Sequence, residues 1–516
     1  APAPEAPAAE AEPVAPAKTV SYPLVEDSLT LTYWKNWPPF LNGYDSSDAS
    51  MFNWLAEKTH VYVDIQQVGT ETATEKFNLM VASGDYPDLL ENAGNAYTGG
   101  YTAAIADEVV LDLMPYMEDY APDYWAVIQG DIVALATLVD ADGQMGGMCS
   151  MYDAYPRGSA GMWIRTDWLD AQGLEKPQTV AELETVLQTF KDVYGCSDAI
   201  AVRDTSTIEI QSAFDTKGWF IDENGQVEYG MTIPRYVEGF REYLATEADW
   251  YQKGFFSSDF ITYNDTSMPL STMLINGMTG LVSSDIMLIS ELGVLNTPEG
   301  FELQALAPIT ANPDDKMPRG WSSRMYSSAQ ASISTDCLTP EIAVSFINAA
   351  FTEEALLPCN WGTEGLTYEM DENGEPYFTD YILNNPNIAA SFAPLAYINP
   401  GFPALKSYAM SVSSYNYPAQ VACFDIFESK TDWETLSDDY PNNYVAFTTE
   451  ESEIIRRYQT DLETYSDECM PKFITGLMNL DGDYDAYVDQ VLSFGYEELK
   501  EVYQSAYDRF IGAVSD

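Results

Sequence analysis

The stretch from Ser28 to Tyr101 alternates strand and helix patterns, and this alternation limits the fold more than any other feature of the chain. Leu29, Leu31 and Tyr33 recur at every second position over Ser28–Trp34, the period of a half-buried strand. Met51–Lys58 predicts a short helix and Val61–Val68 a second strand. Thr72 followed by Glu75 has the spacing of a capping box and predicts a helix ending near Ser83. Gly84 stands where a left-handed residue stops a helix, and Pro87 precedes the apolar pair Leu89 and Leu90 at a third strand. The order β-α-β-α-β implies a parallel sheet. Ligands of such sheets bind beyond the carboxyl ends of the strands. The loops after the first and third strands, Trp34–Phe40 and Asn92–Tyr101, are therefore the first places to look for a site.

A chain of 516 residues exceeds what one compact core holds. The fold class is α/β, with two α/β lobes joined by several crossings. The first crossing is expected after residue 148, where an apolar run ends in the polar, aromatic loop Tyr152–Gly158. The chain is expected to return after the short strand Gly280–Val282, which closes in Ser283-Ser284-Asp285, and to cross a third time near residues 335–355. This gives a first lobe of 28–148 plus 286–335 and a second of 149–285 plus 336–516. The second includes C-terminal helices over Glu451–Tyr465, Tyr484–Leu492 and Glu497–Ile511. Further helices are marked by Thr179 with Glu182, a second capping box, and by Thr339 before Pro340. Asp140–Gly143 and Asp371–Gly374 read as turns of the hairpin type.

Charge excludes some functions. With 81 acidic and 23 basic residues the net charge is -58, which leaves no basic footprint for nucleic acid and no attraction to an anionic membrane surface. A single histidine, His60, stands at a strand edge. It argues against Ser-His-Asp or Cys-His catalysis and against imidazole-rich metal sites. The six cysteines lack CxxC spacing and read as isolated buried thiols, with one or two disulfides as the alternative. No metal or cofactor is called for. A structural calcium from scattered carboxylates is the one alternative, since the two Asp-Gly turns lack the spaced ligands of an EF-hand loop. Aromatic residues are 13% of the chain, 35 of them tyrosine, a generous supply of flat faces of the kind that stack on sugar rings.

No apolar run reaches transmembrane length. Residues 1–27 begin with an Ala/Pro/Glu tract that cannot bury a core and reads as a disordered linker. A linker in that position leads us to expect a lipoprotein signal and an anchor cysteine upstream.

Several short pieces resemble one family in order and spacing. They are Met80–Leu90 with its Pro-Asp-Leu-Leu end, Ile164–Leu174 with Pro177 and Thr179, Thr339–Ala343, and Gly362–Gly365 with Tyr368. Lys472–Gly476, Tyr484–Val488 and Tyr507–Phe510 complete the set. Together they resemble extracellular solute-binding lipoproteins of carbohydrate ABC importers, in the aldouronate and oligosaccharide branch. The usual Trp-Asp of that branch is Tyr484-Asp485 here. The resemblance implies a type II periplasmic-binding-protein-like fold whose two lobes close on a sugar. It further implies a monomer anchored by lipid at the outer cell surface, delivery to membrane permease subunits, and no catalysis.

The candidate ligand residues combine planar polar groups for hydroxyls with aromatic faces for sugar rings. From the first-strand loop they are Asn36 and Trp37. The loop after the third strand, which contacts ligand in this family, supplies Asn92, Asn95 and Tyr97. Tyr152, Asp153 and Tyr155 occupy the family's crossing loop. Trp219 follows a Lys-Gly turn, and Asp285 stands where the family often places an aromatic contact. Trp321, Arg324, Trp361 and Glu364 lie in later polar-aromatic loops. The expected opposite wall of the cleft comes from Tyr152–Tyr155, Trp219 and Trp361. Lys35, Arg157, Arg165, Arg319 and Arg324 lie near these loops. One bidentate arginine among them could hold a uronate carboxylate, with internal salt bridges as the alternative, and Arg165, which starts a helix-turn motif shared by relatives, is expected to be structural.

Three functions are compatible with these features. The first is capture of an oligosaccharide for import, with a neutral β-linked plant glycan from mannan or xylan as the expected ligand. The second is binding of a peptide, lipid or other solute by the same fold, or a surface adhesin. The third is a secreted glycoside hydrolase using two carboxylates, a poor match to the order of α/β units.

Overall fold

The computed structural model describes residues 19–153, 160–201, 208–214, 219–221, 225–229, 237–262, 269–313, 315, 326–415, 417–428, 445 and 447–515. Strand β1 (Leu29–Trp37) leads through the helix Ser50–Thr59 to β2 (Val61–Gly69), and the helix Thr70–Ser83 leads to β3 (Leu89–Glu91). Both neighbours pair parallel to β1, with Leu29 opposite Val61 and Tyr33 opposite Leu89. Gly84 ends the second helix with φ 65, the left-handed stop that glycine takes without strain. The predicted capping box at Thr72 is not formed: the helix starts two residues earlier, and the Thr72 hydroxyl donates to the carbonyl of Gly69 at 3.2 Å.

Strand β4 (Met148–Tyr152) belongs to the same sheet, while β5 (Ala160–Arg165) opens a second one. The first crossing therefore falls at 153–159. The second sheet is completed by β6 (Leu281–Asp285) and β7 (Leu303–Leu306), both antiparallel to β5. Because β7 pairs with β5, residues 286–306 belong with the second sheet. The return comes after Leu306, later than the expected place beside Asp285. Strand β8 (Tyr326–Ile333) then inserts antiparallel between β3 and β4. The helices Pro340–Asn348 and Leu356–Asn360 pack into the first lobe's core with Phe52, Tyr124 and Phe402. The two-residue strand β9 (Leu405–Lys406) closes the first sheet beside β4, in the order β9-β4-β8-β3-β1-β2. The third crossing thus occupies 407–417, about sixty residues beyond its expected place.

The second lobe's largest core joins the helices Val180–Thr189 and Val237–Lys253 to the C-terminal helices. Thr179 caps its helix, accepting from the Glu182 N–H at 3.3 Å, but the predicted box is not closed: the Glu182 carboxylate accepts from the Gln178 N–H at 2.7 Å and not from the Thr179 N–H. Thr448 and Glu451 form a full capping box, which starts one continuous 26-residue helix, Thr449–Ile474. The sequence suggested a stop near Tyr465. Asp371–Gly374 turns a hairpin between Tyr368–Met370 and Pro376–Phe378. Asp140–Gly143 forms a turn but not a hairpin, since a helix precedes it and β4 follows. His60 is a left-handed helix cap just before β2, with φ 59. All six cysteines are buried and free. Among the described residues no single helix is long and apolar enough to cross a membrane.

Candidate functional site

The chain passes between the two sheets at one junction. β4 and β9 both end at the junction, with Tyr152 opposite Lys406 in register. The second sheet begins there, with Ala160 opposite Asp285. The first and third crossings run side by side: the Asp153 N–H donates to the Lys406 carbonyl at 2.9 Å, and the Asp153 carboxylate accepts from the Tyr408 N–H at 2.8 Å. Asn360 holds the same segment from behind. Its amide donates to the Leu405 carbonyl at 2.9 Å, and its oxygen accepts from the Ser407 N–H at 2.9 Å. Tyr415 enters from the far end of the third crossing and packs on Phe424 with ring centroids 5.9 Å apart. Its phenol is pushed well above the usual range, first by burial and then by Tyr152, Asp285 and Tyr408 around it. Burial also raises the Tyr152 phenol. These phenols stay protonated at neutral pH and are available as hydrogen-bond donors and acceptors. Asp285 accepts from the Met287 N–H at 2.9 Å, which fixes its carboxylate at the start of the helix Met287–Val294.

The junction therefore unites Tyr152, Asp153 and Asp285 from the predicted set. Tyr408, Tyr415 and Lys406 join them unpredicted. They come from the Pro- and Tyr-rich stretch 377–440, whose weak periodicity hid its role as a crossing. The density of tyrosine in that stretch was the available signal.

The carboxyl ends of β1 and β3 form the adjoining floor. Lys35 is fully buried and ion-paired with Glu91, whose second oxygen accepts from the Asn36 N–H at 2.8 Å. Among the described residues the Asn36 side-chain oxygen is buried without a hydrogen-bond partner. Asn92 is left-handed with φ 55, and its side-chain oxygen accepts from the Gln330 N–H at 2.9 Å, so it fastens the loop to β8. Asn95 is exposed. Tyr97 is half-buried and donates to Asp107 at 2.7 Å, and burial with that bond pushes its phenol up to about 12. Facing this loop is the helix Thr449–Ile474 of the second lobe. Arg456 lies beside Gly99, and Thr449 donates to Asp142 of the first lobe at 3.0 Å through its hydroxyl.

Other predicted residues lie elsewhere. Trp37 and Trp361 are 4% and 5% exposed and share one apolar cluster on the first lobe. The Trp37 indole N–H donates to the Leu41 carbonyl at 3.0 Å, and Trp361 packs on Phe378 at 4.7 Å. Trp361 thus sits within the first lobe and not on the opposite wall. Glu364 is exposed, and in its loop the hydrogen-bond hub is Thr367, whose hydroxyl accepts from the Thr363 N–H at 2.7 Å. The backbone of Trp219 lies in the short hairpin strand Trp219–Ile221, and its side chain is outside the described residues. Tyr155, Trp321 and Arg324 are also outside them. A groove of about 700 Å³ runs along β7, lined by Leu292, Phe301, Leu303, Pro418 and Ile426. Its apolar lining offers few partners for sugar hydroxyls.

The sequence model of bacterial extracellular solute-binding proteins matches residues 33–356, well over half of the chain. The chain belongs to that family. This solute-binding protein is 23% identical to the fructooligosaccharide ABC transporter substrate-binding protein FusA of Streptococcus pneumoniae, over 95% of its own length and 92% of that protein. It is 24% identical to the lipoprotein LipO of Bacillus subtilis, over 72% and 74% of the two chains. Its fold matches the crystal structure of the alginate-binding protein AlgQ2 with a TM-score of 0.75 at 22% identity, covering 94% of this chain and 99% of the other. FusA in complex with fructo-nystose gives the same TM-score of 0.75 at 18% identity, with coverage of 94% and 99%. The solute-binding protein therefore has the periplasmic-binding-protein-like architecture of two α/β lobes with C-terminal helices. Members of this family bind solutes and do not transform them.

Proposed function

We propose that this protein captures an oligosaccharide between its lobes and hands it to the permease of an ABC importer, acting as a monomer held by lipid at the outer cell surface. The observation that carries this reading is the junction of Tyr152, Tyr408 and Tyr415 with Asp153, Asp285 and Lys406. It combines aromatic faces with hydrogen-bonding groups at the strand ends, the pairing that sugar rings and hydroxyls need. FusA and AlgQ2, named for fructooligosaccharide and alginate, support the ligand class. The crossings between the lobes supply the hinge by which closure follows binding. The ligand is a β-linked plant oligosaccharide with a neutral backbone, derived from mannan or xylan. A net charge of -58 opposes a polyanionic chain on approach. No cofactor takes part.

Calorimetry against manno-, xylo-, fructo- and alginate oligosaccharides, with an assay for new reducing ends, tests the reading. Heat of binding to a manno- or xylo-oligosaccharide without cleavage is expected. Release of reducing ends would establish hydrolysis instead, and silence across all glycans would transfer the site to another solute.

A further inference from the structure

A chain with a net charge of -58 repels itself, so bringing two of its lobes together has an electrostatic cost. The basic residues singled out in the sequence do not offset it. Lys35 is ion-paired with Glu91 inside the first lobe, and Arg165 holds Asp167 inside the second through two hydrogen bonds of 2.8 and 2.6 Å. Arg157, Arg319 and Arg324 lie outside the described residues. The lobes instead meet at a point away from the three crossings. The Asp142 carboxylate of the first lobe accepts from the Thr449 hydroxyl at 3.0 Å and from the Thr449 N–H at 3.2 Å, at the start of the second-lobe helix Thr449–Ile474.

Each partner is anchored in its own lobe without the other. Asp140 fixes the turn that carries Asp142. One of its carboxylate oxygens accepts from the Asp142 and Gln144 N–H groups at 3.0 and 2.8 Å, and the other from the Thr102 hydroxyl at 3.1 Å. The Asp142 carboxylate takes no part in that turn, and among the described residues both of its hydrogen bonds go to Thr449. On the second lobe, Thr448 and Glu451 close the capping box by themselves, and Arg509 ties Glu451 to the last helix. Thr449 is the first helical residue, and its N–H is one of those that a helix start leaves without an internal partner. A carboxylate is favoured at that positive end of the helix. Further along, Arg456 lies beside Gly99 of the first lobe. Asp142 and Thr449 are both exposed, so water replaces either partner when the contact opens.

We propose that Asp142 and Thr449 form a latch that holds the two lobes together and sets how often they part. The latch joins two parts that are each fixed in their own lobe, so it makes and breaks with lobe motion and neither lobe depends on it for its fold. It turns an acidic side chain, which would otherwise add to the repulsion, into an attraction between the lobes. Neither residue belongs to the junction of Tyr152, Tyr408 and Tyr415. The latch therefore acts on a ligand through the fraction of protein in the closed arrangement, by one factor common to all ligands that need it. This consequence for affinity rests on the oligosaccharide reading above, whereas the latch itself does not.

Spin labels on one residue of each lobe read the lobe separation directly. Leu79→Cys in the first lobe and Val193→Cys in the second suit them, being 63% and 53% exposed, while the six native cysteines are buried. Pulsed dipolar spectroscopy is expected to show the ratio of long to short distances rising about fivefold in Asp142→Ala, the value of an anion lost from a helix N-terminus. Thr449→Val, which keeps the N–H, shifts it less, Thr449→Ser keeps the wild-type ratio, and the double variant goes no further than Asp142→Ala alone. Thermal melts confirm that each variant folds. In calorimetry with manno- and xylo-oligosaccharides, Asp142→Ala weakens every binding ligand by one common factor no larger than the shift in the ratio. Distances that stay unchanged in Asp142→Ala show a fixed brace and overturn the latch, and so do losses of affinity that differ from glycan to glycan. A shift in distance together with failure of every glycan to bind upholds the latch and overturns the oligosaccharide reading.

Discussion

Asn92 and Gln330 exchange two hydrogen bonds across the first sheet. The Asn92 N–H donates to the Gln330 carbonyl at 2.8 Å, and the Gln330 N–H donates to the Asn92 side-chain oxygen at 2.9 Å. The pair extends the β3–β8 ladder by one step although Asn92 is left-handed, because the side-chain oxygen stands in for a carbonyl that the backbone has turned away. Two costs can thus be separated. Asn92→Gly loses the acceptor but tolerates the conformation, and should destabilise by about 1 kcal/mol. Asn92→Ala adds left-handed strain and should cost about 2–3 kcal/mol. Urea denaturation reads the order; an alanine variant as stable as the glycine one would contradict it.

Glu91 neutralises a fully buried ammonium. Glu91→Ala leaves Lys35 buried and unpaired, which should cost about 3–5 kcal/mol. Removing both charges in Lys35→Met with Glu91→Leu should recover much of that loss, because apolar replacements of a buried pair are often neutral. Thermal unfolding of the single and double variants checks this, and a double variant no more stable than Glu91→Ala would count against it.

The apolar cluster of Trp37, Trp361, Tyr368 and Phe378 gives the two tryptophans a packing role. Trp361→Ala should lower stability by about 3–5 kcal/mol, and Trp361→Phe by less. Denaturant titration distinguishes this from a ligand-stacking role, in which alanine would weaken binding and leave stability unchanged.

Lys406 makes stability depend on alkaline pH. Its pKa is about 8 in the folded protein against an ordinary 10.5. Between those values the unfolded chain binds more protons than the folded one, so unfolding free energy rises with pH across the window. Below pH 8 the full penalty of holding the charge is present. Lys406→Met should be more stable than the wild type near pH 7 and should lack the Lys406 contribution to the rise, which melting curves between pH 7 and 10.5 will show.

The N-terminal half of the first sheet was legible in the sequence, since its elements are local and their signals adjacent. Leu29–Tyr33 alternates, Gly84 stops a helix, and Pro87 opens the strand at Leu89. The crossings were less legible because strand pairing over long separations leaves no local mark. Nothing in Leu303–Leu306 says that it pairs with Ala160–Arg165, and the two residues Leu405–Lys406 are too few to show a period. At the site, composition pointed to aromatic and polar loops. It could not separate Trp361, which packs on Phe378, from Tyr415, which stands at the junction, because burial is decided by residues distant in sequence.

With the sugar proposed to sit at the junction of the two sheets, the most direct measurement is the affinity of Tyr152→Ala beside the wild type, by calorimetry with the manno- or xylo-oligosaccharide that binds best. Loss of the aromatic face should weaken binding about tenfold, or about 1.4 kcal/mol, with the melting curve still cooperative. Unchanged affinity in a folded Tyr152→Ala protein would contradict the placement of the ligand.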